Sequence, residues 1–295
     1  MENWSGKKVI VIGAARQGTA LSRYLASKGA QVILTDMHSL DELPASLSDL
    51  EKLGIQLCLG GHPLELLEGA DCVCVSGGVP LTIPFIQAAL QRGIPLSNDS
   101  QIFLEACPAQ VIGITGSSGK TTTTALVGLM AQKYYEMKQN GHRAWVGGNI
   151  GNPLIEQVDQ IDEDDLVVLE LSSFQLELMT RSPQIAAILN ITPNHLDRHG
   201  SMQAYIAAKS RILRFQQPGD VAILNRDDPG SWSLAEHLKS DLISFGFQKP
   251  DYMQNGTYIY KDAIWLQLGH ESLKMLPLEW IQLPGRHNIA NVLAA

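Results

Sequence analysis

The chain has 295 residues, 45% of them apolar and 18% charged, the balance of an ordinary globular protein long enough for about two domains. A net charge of −8 argues against a nucleic-acid-binding surface and suits a cytoplasmic enzyme that holds anions through local donors. No apolar run approaches the length of a membrane helix, so no membrane association is expected.

Lys8 to Gly13 reads as a buried strand, Arg16 to Lys28 as a helix and Gln31 to Asp36 as a second strand, which together make a βαβ unit. The alternation continues through a strand at Gln56–Leu59, a helix near Pro63 to Glu68, a strand at Cys72–Val75, a helix at Pro84–Arg92 and a strand at Ile94–Leu96. Cys58, Cys72, Cys74 and Cys107 lack paired C-x-x-C spacing and read as reduced packing residues. The turn Gly13-Ala14-Ala15-Arg16-Gln17-Gly18 sits where a dinucleotide fingerprint would. Its middle glycine is Ala15, however, whose Cβ would crowd a pyrophosphate. Asp36 stands where a ribose-binding carboxylate would, so a dinucleotide, another phosphorylated ligand or no ligand at all remain open for this unit.

A second α/β series opens near residue 106, which places the domains at 1–105 and 106–295. Val111 to Ile114 is a short β-branched strand, and Thr122 to Ala131 has the small and aliphatic residues of a buried helix. Between them lies Gly113-Ile114-Thr115-Gly116-Ser117-Ser118-Gly119-Lys120-Thr121-Thr122, a glycine-rich loop at a helix N-terminus. Such a loop can turn its amides onto a phosphate, with Lys120 adding a positive charge and the Thr121 hydroxyl available to Mg²⁺. The usual P-loop spacing would put glycine at Ile114, one residue later than Gly113.

Further strands are expected at Ala144–Val146, Leu166–Glu170, Ala186–Ile191, Val221–Asn225 and Leu242–Phe245, with the clearest helix at Met202–Phe215. Asp159 to Asp165 is a charge run that reads as a solvated loop. Glu170 ends an apolar strand, the position from which an acid in an open α/β sheet reaches the ligand crevice. Ser172 and Ser173 after it suit either substrate contacts or a helix cap. The stretch Asn190-Ile191-Thr192-Pro193-Asn194-His195-Leu196-Asp197-Arg198-His199 is dense in ligand types, and His195 lies at a strand exit. Lys209 reads from its helix as an ordinary surface lysine. Lys261-Asp262, between Tyr258–Tyr260 and Ala263–Leu266, suggests a late antiparallel hairpin. The last residues read as a helix with no closing signal, so a fragment of a longer protein is expected.

The phosphate loop, Gly148-Asn149-Ile150-Gly151, Glu170 to Glu177, Asn190 to Arg198, Ala208-Lys209 and Gly285 to Asn291 resemble, in order, the motifs of the Mur ligases. These are ATP-dependent amide-forming enzymes of peptidoglycan precursor synthesis, and the form Glu170-Leu171-Ser172-Ser173-Phe174-Gln175-Leu176 is most similar to their D-glutamate-adding branch. The resemblance covers essentially the whole chain. It implies an α/β fold with a Rossmann-like parallel-sheet N-terminal domain and a P-loop-type central domain.

It also implies ATP and two Mg²⁺ ions, UDP-N-acetylmuramoyl-L-alanine and D-glutamate as substrates, and a cytoplasmic monomer serving cell-wall growth and division. Gly116, Ser117, Ser118, Gly119, Lys120, Thr121 and Thr122 would bind ATP, with Asn288 and Asn291 near the adenine. Thr121 and Glu170 would hold one Mg²⁺; His195 and a carbamylated Lys209 would hold the second. Lys120, His195 and Lys209 would be catalytic. Arg16, Gln17, Asp36 and His38 would meet the UDP moiety, and Asn149, Ser172 and Gln175 the muramoyl-alanine end. The first domain is thereby reassigned from a dinucleotide to this nucleotide sugar.

Departures are Ser118 for the usual asparagine, Met37-His38 where close relatives often carry Thr-Arg, and Gly77 in the usual Ser-Pro-Gly. Family members have a third, C-terminal domain that closes over the site. Without it, the expectation is binding of the nucleotide sugar with little or no turnover. A non-catalytic substrate-binding fragment and a P-loop phosphotransferase of another kind are the alternatives.

Overall fold

The computed structural model describes residues 3–44, 47–151 and 153–295. The chain divides into two compact units, Met1–Cys107 with Asn152–Ile161, and Pro108–Gly151 with Asp162–Ala295.

The first unit is built on a parallel sheet of β1 (Lys8–Ile12), β2 (Gln31–Asp36), β3 (Gln56–Leu59), β4 (Cys72–Val75) and β5 (Leu96–Ser97), in the order β3-β2-β1-β4-β5. Its helices are α1 (Arg16–Ser27), α2 (Ser48–Glu51), α3 (Pro84–Gln91) and α4 (Asp99–Ala106). Val9 to Ile12 are wholly buried, as a central strand covered on both faces requires. The strand order reverses between β1 and β4, so the ligand crevice of this sheet opens at their C-terminal ends.

Gly13 sits at that point with φ +100°, and a Cβ there would come within 2.9 Å of Ser76. Gly18 is tighter still, since a Cβ would lie 1.8 Å from the Gly13 carbonyl and α1 could not approach the turn. Residues 154–160 form a 3-10 helix that returns to this unit, burying Leu154, Ile155 and Val158 and pairing Asp159 with Lys28 at 2.7 Å. The segment near Pro63 is also a single 3-10 turn, Leu64–Leu67, rather than a longer helix. Among the described residues Cys58, Cys72, Cys74 and Cys107 form no disulfide, and Cys72 and Cys74 are buried in β4.

The second unit carries a mixed sheet ordered β14-β13-β12-β11-β10-β9-β6-β8-β7. The strands are β6 (Gln110–Thr115), β7 (Ala144–Gly148), β8 (Leu166–Glu170), β9 (Ile185–Ile188), β10 (Val221–Asn225), β11 (Asp241–Phe245), β12 (Asn255–Tyr260), β13 (Ala263–Leu268) and β14 (Glu271–Pro277). Its helices are α5 (Lys120–Lys138), α6 (Ser173–Leu176), α7 (Leu196–His199), α8 (Met202–Arg214), α9 (Pro229–Trp232) and α10 (Arg286–Ala294). Ile114, Val168, Ala187, Leu189 and Phe245 form its core together with Ile264 of β13 and with Leu293 and Ala294 of α10.

Pairing is parallel from β7 to β12 and antiparallel from β12 to β14. The hairpin at Lys261-Asp262 is present, both residues holding the positive φ that a two-residue turn between twisted strands demands. A third strand, β14, follows Gly269 and extends that meander.

Other local expectations change as well. The strand foreseen at Ala186–Ile191 ends at Ile188, because Leu189 and Asn190 leave the sheet to bond the phosphate loop. The helix foreseen to Ala131 runs to Lys138, and α4 lay outside the expected elements. The charge run is not wholly solvated, since Asp165 is only 4% exposed. Its carboxylate accepts from the Arg143 amide at 2.8 Å, Trp145 Nε1 at 2.7 Å and the Asp162 amide at 3.1 Å, pinning the start of β7. Among the described residues no helix is long and apolar enough to cross a membrane.

Candidate active site

β6 emerges between β8 and β9, so the loop after it opens at a reversal of strand order. Glycine is required at 113 because a Cβ would meet the Pro183 ring at 2.5 Å. The loop is tied down on one side by Asn190, whose carbonyl accepts from the Ser117 amide at 2.9 Å and whose side chain exchanges bonds with Ser118 at 2.9 and 3.1 Å. Ser117 Oγ donates to the Thr192 carbonyl at 2.9 Å and lies 3.0 Å from the Tyr205 hydroxyl. Gly119, at φ +83°, starts α5, and a Cβ there would fall 2.3 Å from Asn291 Oδ1. Asn291 is thus seated against the loop, and its amide donates to Asn288 Oδ1 at 3.2 Å.

Lys120 folds back over the loop, donating to the Gly116 carbonyl at 3.0 Å. Burial, partly offset by Glu170, lowers its pKa. The Thr121 hydroxyl donates to Glu170 Oε2 at 2.8 Å, and Asn149 Nδ2 donates to Oε1 at 2.9 Å. Glu170 is 2% exposed. A carboxylate and a hydroxyl meeting beside a phosphate-type loop are the hard oxygen donors that Mg²⁺ takes alongside phosphate oxygens, so the pair fits that ion.

Lys209 departs from the surface reading. It is 1% exposed, donates to the Gly116 carbonyl at 2.9 Å and to Thr115 Oγ1 at 3.3 Å, and lies over the Tyr205 ring. Burial, with the nearby Lys120 charge, lowers its pKa to about 7. A substantial neutral fraction near neutrality is what addition to CO₂ needs. The amine itself is no Mg²⁺ ligand, so only the carbamate would fit.

His195 is exposed, in the left-handed conformation at φ +51°, and its ring meets the edge of Phe174 at 5.4 Å. Among the described residues no hydrogen bond or ion pair joins it to Lys209. Ser172 and Gln175 engage each other in a capping box on α6, with Gln175 Oε1 accepting from the Ser172 amide and hydroxyl at 3.0 and 2.8 Å. The helix-cap reading therefore holds for Ser172. Ser173 instead reaches His199 Nε2 at 2.9 Å.

In the first unit, Arg16 is exposed and Gln17 half-buried in the first turn of α1. Asp36 accepts from the Ala14 amide at 2.6 Å and from the His38 amide and ring at 2.9 and 2.7 Å. Burial would raise the Asp36 pKa, but these bonds outweigh it and hold the carboxyl below its usual range, while the same pairing raises the His38 pKa. Asp36 thus fixes the turn, and His38 presents the exposed group. Asn190, His199 and Phe174 lay in segments the sequence singled out but had no role assigned, and Tyr205 lay outside them; it could have been found from its i−4 spacing to Lys209 on one helix face.

Residues 7–98 match the Mur ligase MurD-like N-terminal domain, and residues 114–295 match the Mur ligase middle domain. The chain belongs to the Mur ligase family. It is 41% identical over its whole length to the UDP-N-acetylmuramoylalanine–D-glutamate ligase of Pelotomaculum thermopropionicum, covering 63% of that protein. It is 40% identical over 98% of its length to the enzyme of the same name from Symbiobacterium thermophilum, covering 62% of it. This Mur ligase chain therefore spans a little over three-fifths of the curated relatives it matches.

Its fold is similar to the crystal structure of the UDP-N-acetylmuramate:L-alanyl-gamma-D-glutamyl-meso-diaminopimelate ligase from Neisseria meningitides. That likeness has a TM-score of 0.60 at 20% identity, over 98% of this chain and 92% of that one.

Proposed function

We propose that these residues supply the nucleotide-sugar and ATP sites of a UDP-N-acetylmuramoyl-L-alanine:D-glutamate ligase, acting in the cytoplasm as a monomer. The observation that carries the reading is the meeting of Thr121 and Glu170 at 2.8 Å beside Lys120, in a chain 41% identical to a protein named for that activity. Mg²⁺ held by Thr121 and Glu170 would neutralise phosphate charge, and a second ion would take His195 and a carbamylated Lys209.

In this reading the γ-phosphoryl of ATP passes to the substrate carboxylate, and the amine of D-glutamate displaces phosphate from the acyl phosphate. The chain's own groups do the positioning. Lys120 leaves the Gly116 carbonyl for the phosphates, where the loop amides other than those of Ser117 and Ser118, which Asn190 holds, add fixed donors. Asn149 holds Glu170 in place and lines the muramoyl-alanine end with Ser172 and Gln175. Asn288 and Asn291 border the adenine, and Arg16, Gln17, Asp36 and His38 receive the UDP moiety. A P-loop phosphotransferase would use the loop and Glu170 but has no need of a buried lysine on the Gly116 carbonyl.

The test is phosphate release by a protein containing these residues, with each substrate withheld in turn and other amino acids offered in place of D-glutamate. Release that needs ATP, UDP-N-acetylmuramoyl-L-alanine and D-glutamate together is expected. Release without the nucleotide sugar, or faster release with another amino acid, overturns the reading.

A further inference from the structure

His195 has little to orient it locally. It precedes α7, a four-residue helix too short to hold itself in place, and its own side chain forms no cap. Among the described residues the one ring its imidazole meets is Phe174, edge-on at 5.4 Å and 61°. Phe174 is in turn stacked on His199 at 5.1 Å and 4°, with the Arg198 guanidinium 4.4 Å from its centroid.

His199 is the fixed member of this group. Its side chain is fully buried and Nε2 is hydrogen-bonded to Ser173 Oγ at 2.9 Å, while Nδ1 lies 2.9 Å from Glu177 Oε1 but makes no hydrogen bond among the described residues. The Ser173 bond on one edge, burial of the whole ring and Tyr205 packed against it at 5.0 Å set its plane. The order Ser173, His199, Glu177 is that of a nucleophilic triad without the hydrogen bond between its last two members. Ser173, however, is 3% exposed in the first turn of α6, with no approach for a carbonyl carbon. What the arrangement can do is hold a ring.

We propose that His199 is a positioning residue: held by Ser173 and packed against Tyr205, it fixes the plane of Phe174 and, through the edge of that ring, the orientation of the His195 imidazole. This rests on the reading of His195 as a ligand of the second divalent cation. It ties the segment after Glu170 to the segment after β9.

The experiment uses the ¹⁵N-labelled 295-residue chain and long-range ¹H–¹⁵N spectra of its imidazoles, with His195 assigned by His195→Asn. Mn²⁺ with a non-hydrolysable ATP analogue is the probe. Phe174→Leu is expected to shift the His195 ring resonances and to raise the Mn²⁺ concentration that broadens them by about tenfold. His199→Leu should do the same, and His199→Phe, which keeps a ring to stack, should do less. Phe174→Leu with resonances and Mn²⁺ response both at wild-type values overturns the proposal. Phe174 is only partly buried, so this variant decides the matter even where His199→Leu fails to fold. If Mn²⁺ leaves His195 of the unsubstituted chain sharp while Phe174→Leu still moves its ring resonances, the positioning stands and the metal reading falls.

Discussion

Lys120 and Lys209 donate to the same oxygen, the carbonyl of Gly116, at 3.0 and 2.9 Å. Two amines from different helices converge on one acceptor, one at the mouth of the loop and one sealed beneath it. Lys120 has a phosphate to go to; Lys209 has no exit to solvent, and burial lowers the pKa of both.

Lys120→Ala removes the loop's mobile charge while sparing the fold, because its bonds are to carbonyls that Lys209 and solvent can still serve. Phosphate release in a protein containing these residues should fall by at least about 100-fold with an unchanged thermal melt. Arginine at 120 should not restore it, since its planar fork cannot take the same path between the loop carbonyls and a phosphate. Retained release would undo the assignment of the loop.

Lys209 makes stability depend on alkaline pH. Its folded pKa of about 7 lies below the unfolded value of about 10.4, so the unfolded chain binds the extra proton between them. The cost of the buried ammonium is fully present below the folded pKa and fades as pH rises through that window. Denaturant midpoints of the wild type should therefore gain on those of Lys209→Met from pH 7 to pH 10, and parallel profiles would contradict the burial argument.

Asp165 acts with the opposite sign. Burial pushes its pKa up, but Trp145 and the Arg143 and Asp162 amides outweigh it and hold the carboxyl below its usual range. Its stabilisation is present above the unfolded value of about 3.9 and is lost as pH falls through the lower folded pKa. Asp165→Asn should cost about 1–3 kcal/mol at pH 7 and flatten the acid limb of the stability profile, measured by urea denaturation.

Gly119→Ala should destabilise through two separable causes, the φ of +83° and the 2.3 Å approach to Asn291 Oδ1. A loss of about 1–3 kcal/mol is expected. Asn291→Ala in the same chain should recover the contact part and leave the backbone part, giving a measurable coupling in a double-mutant cycle.

The loop and Glu170 were legible because their signals are local: glycines, a Lys-Thr pair and an acid at the end of an apolar run. Lys209 was not, because the face of a helix that is buried depends on what packs over it, and here Tyr205 and the loop carbonyls do. Asp165 was hidden inside a charge run whose other acidic members are exposed. The Ser173–His199–Glu177 cluster spans 22 to 26 residues in sequence, a pairing that neither period nor composition encodes. Residues 154–160 return to the first unit for the same reason, through the Lys28–Asp159 pair and buried aliphatics.

In the sheet, Ile114 stands opposite Glu170, and Glu170 opposite Gly148. The bonds from Thr121 and Asn149 to Glu170 therefore run crosswise to three strands, and the alignment of β6, β8 and β7 is the ruler that sets them. A slip of one residue in β8 would turn the carboxylate to the other face of the sheet and leave the loop intact without its acid. Gly148, where a Cβ would come within 2.3 Å of the Glu170 carbonyl, lets β7 lie close enough for that ruler to be read.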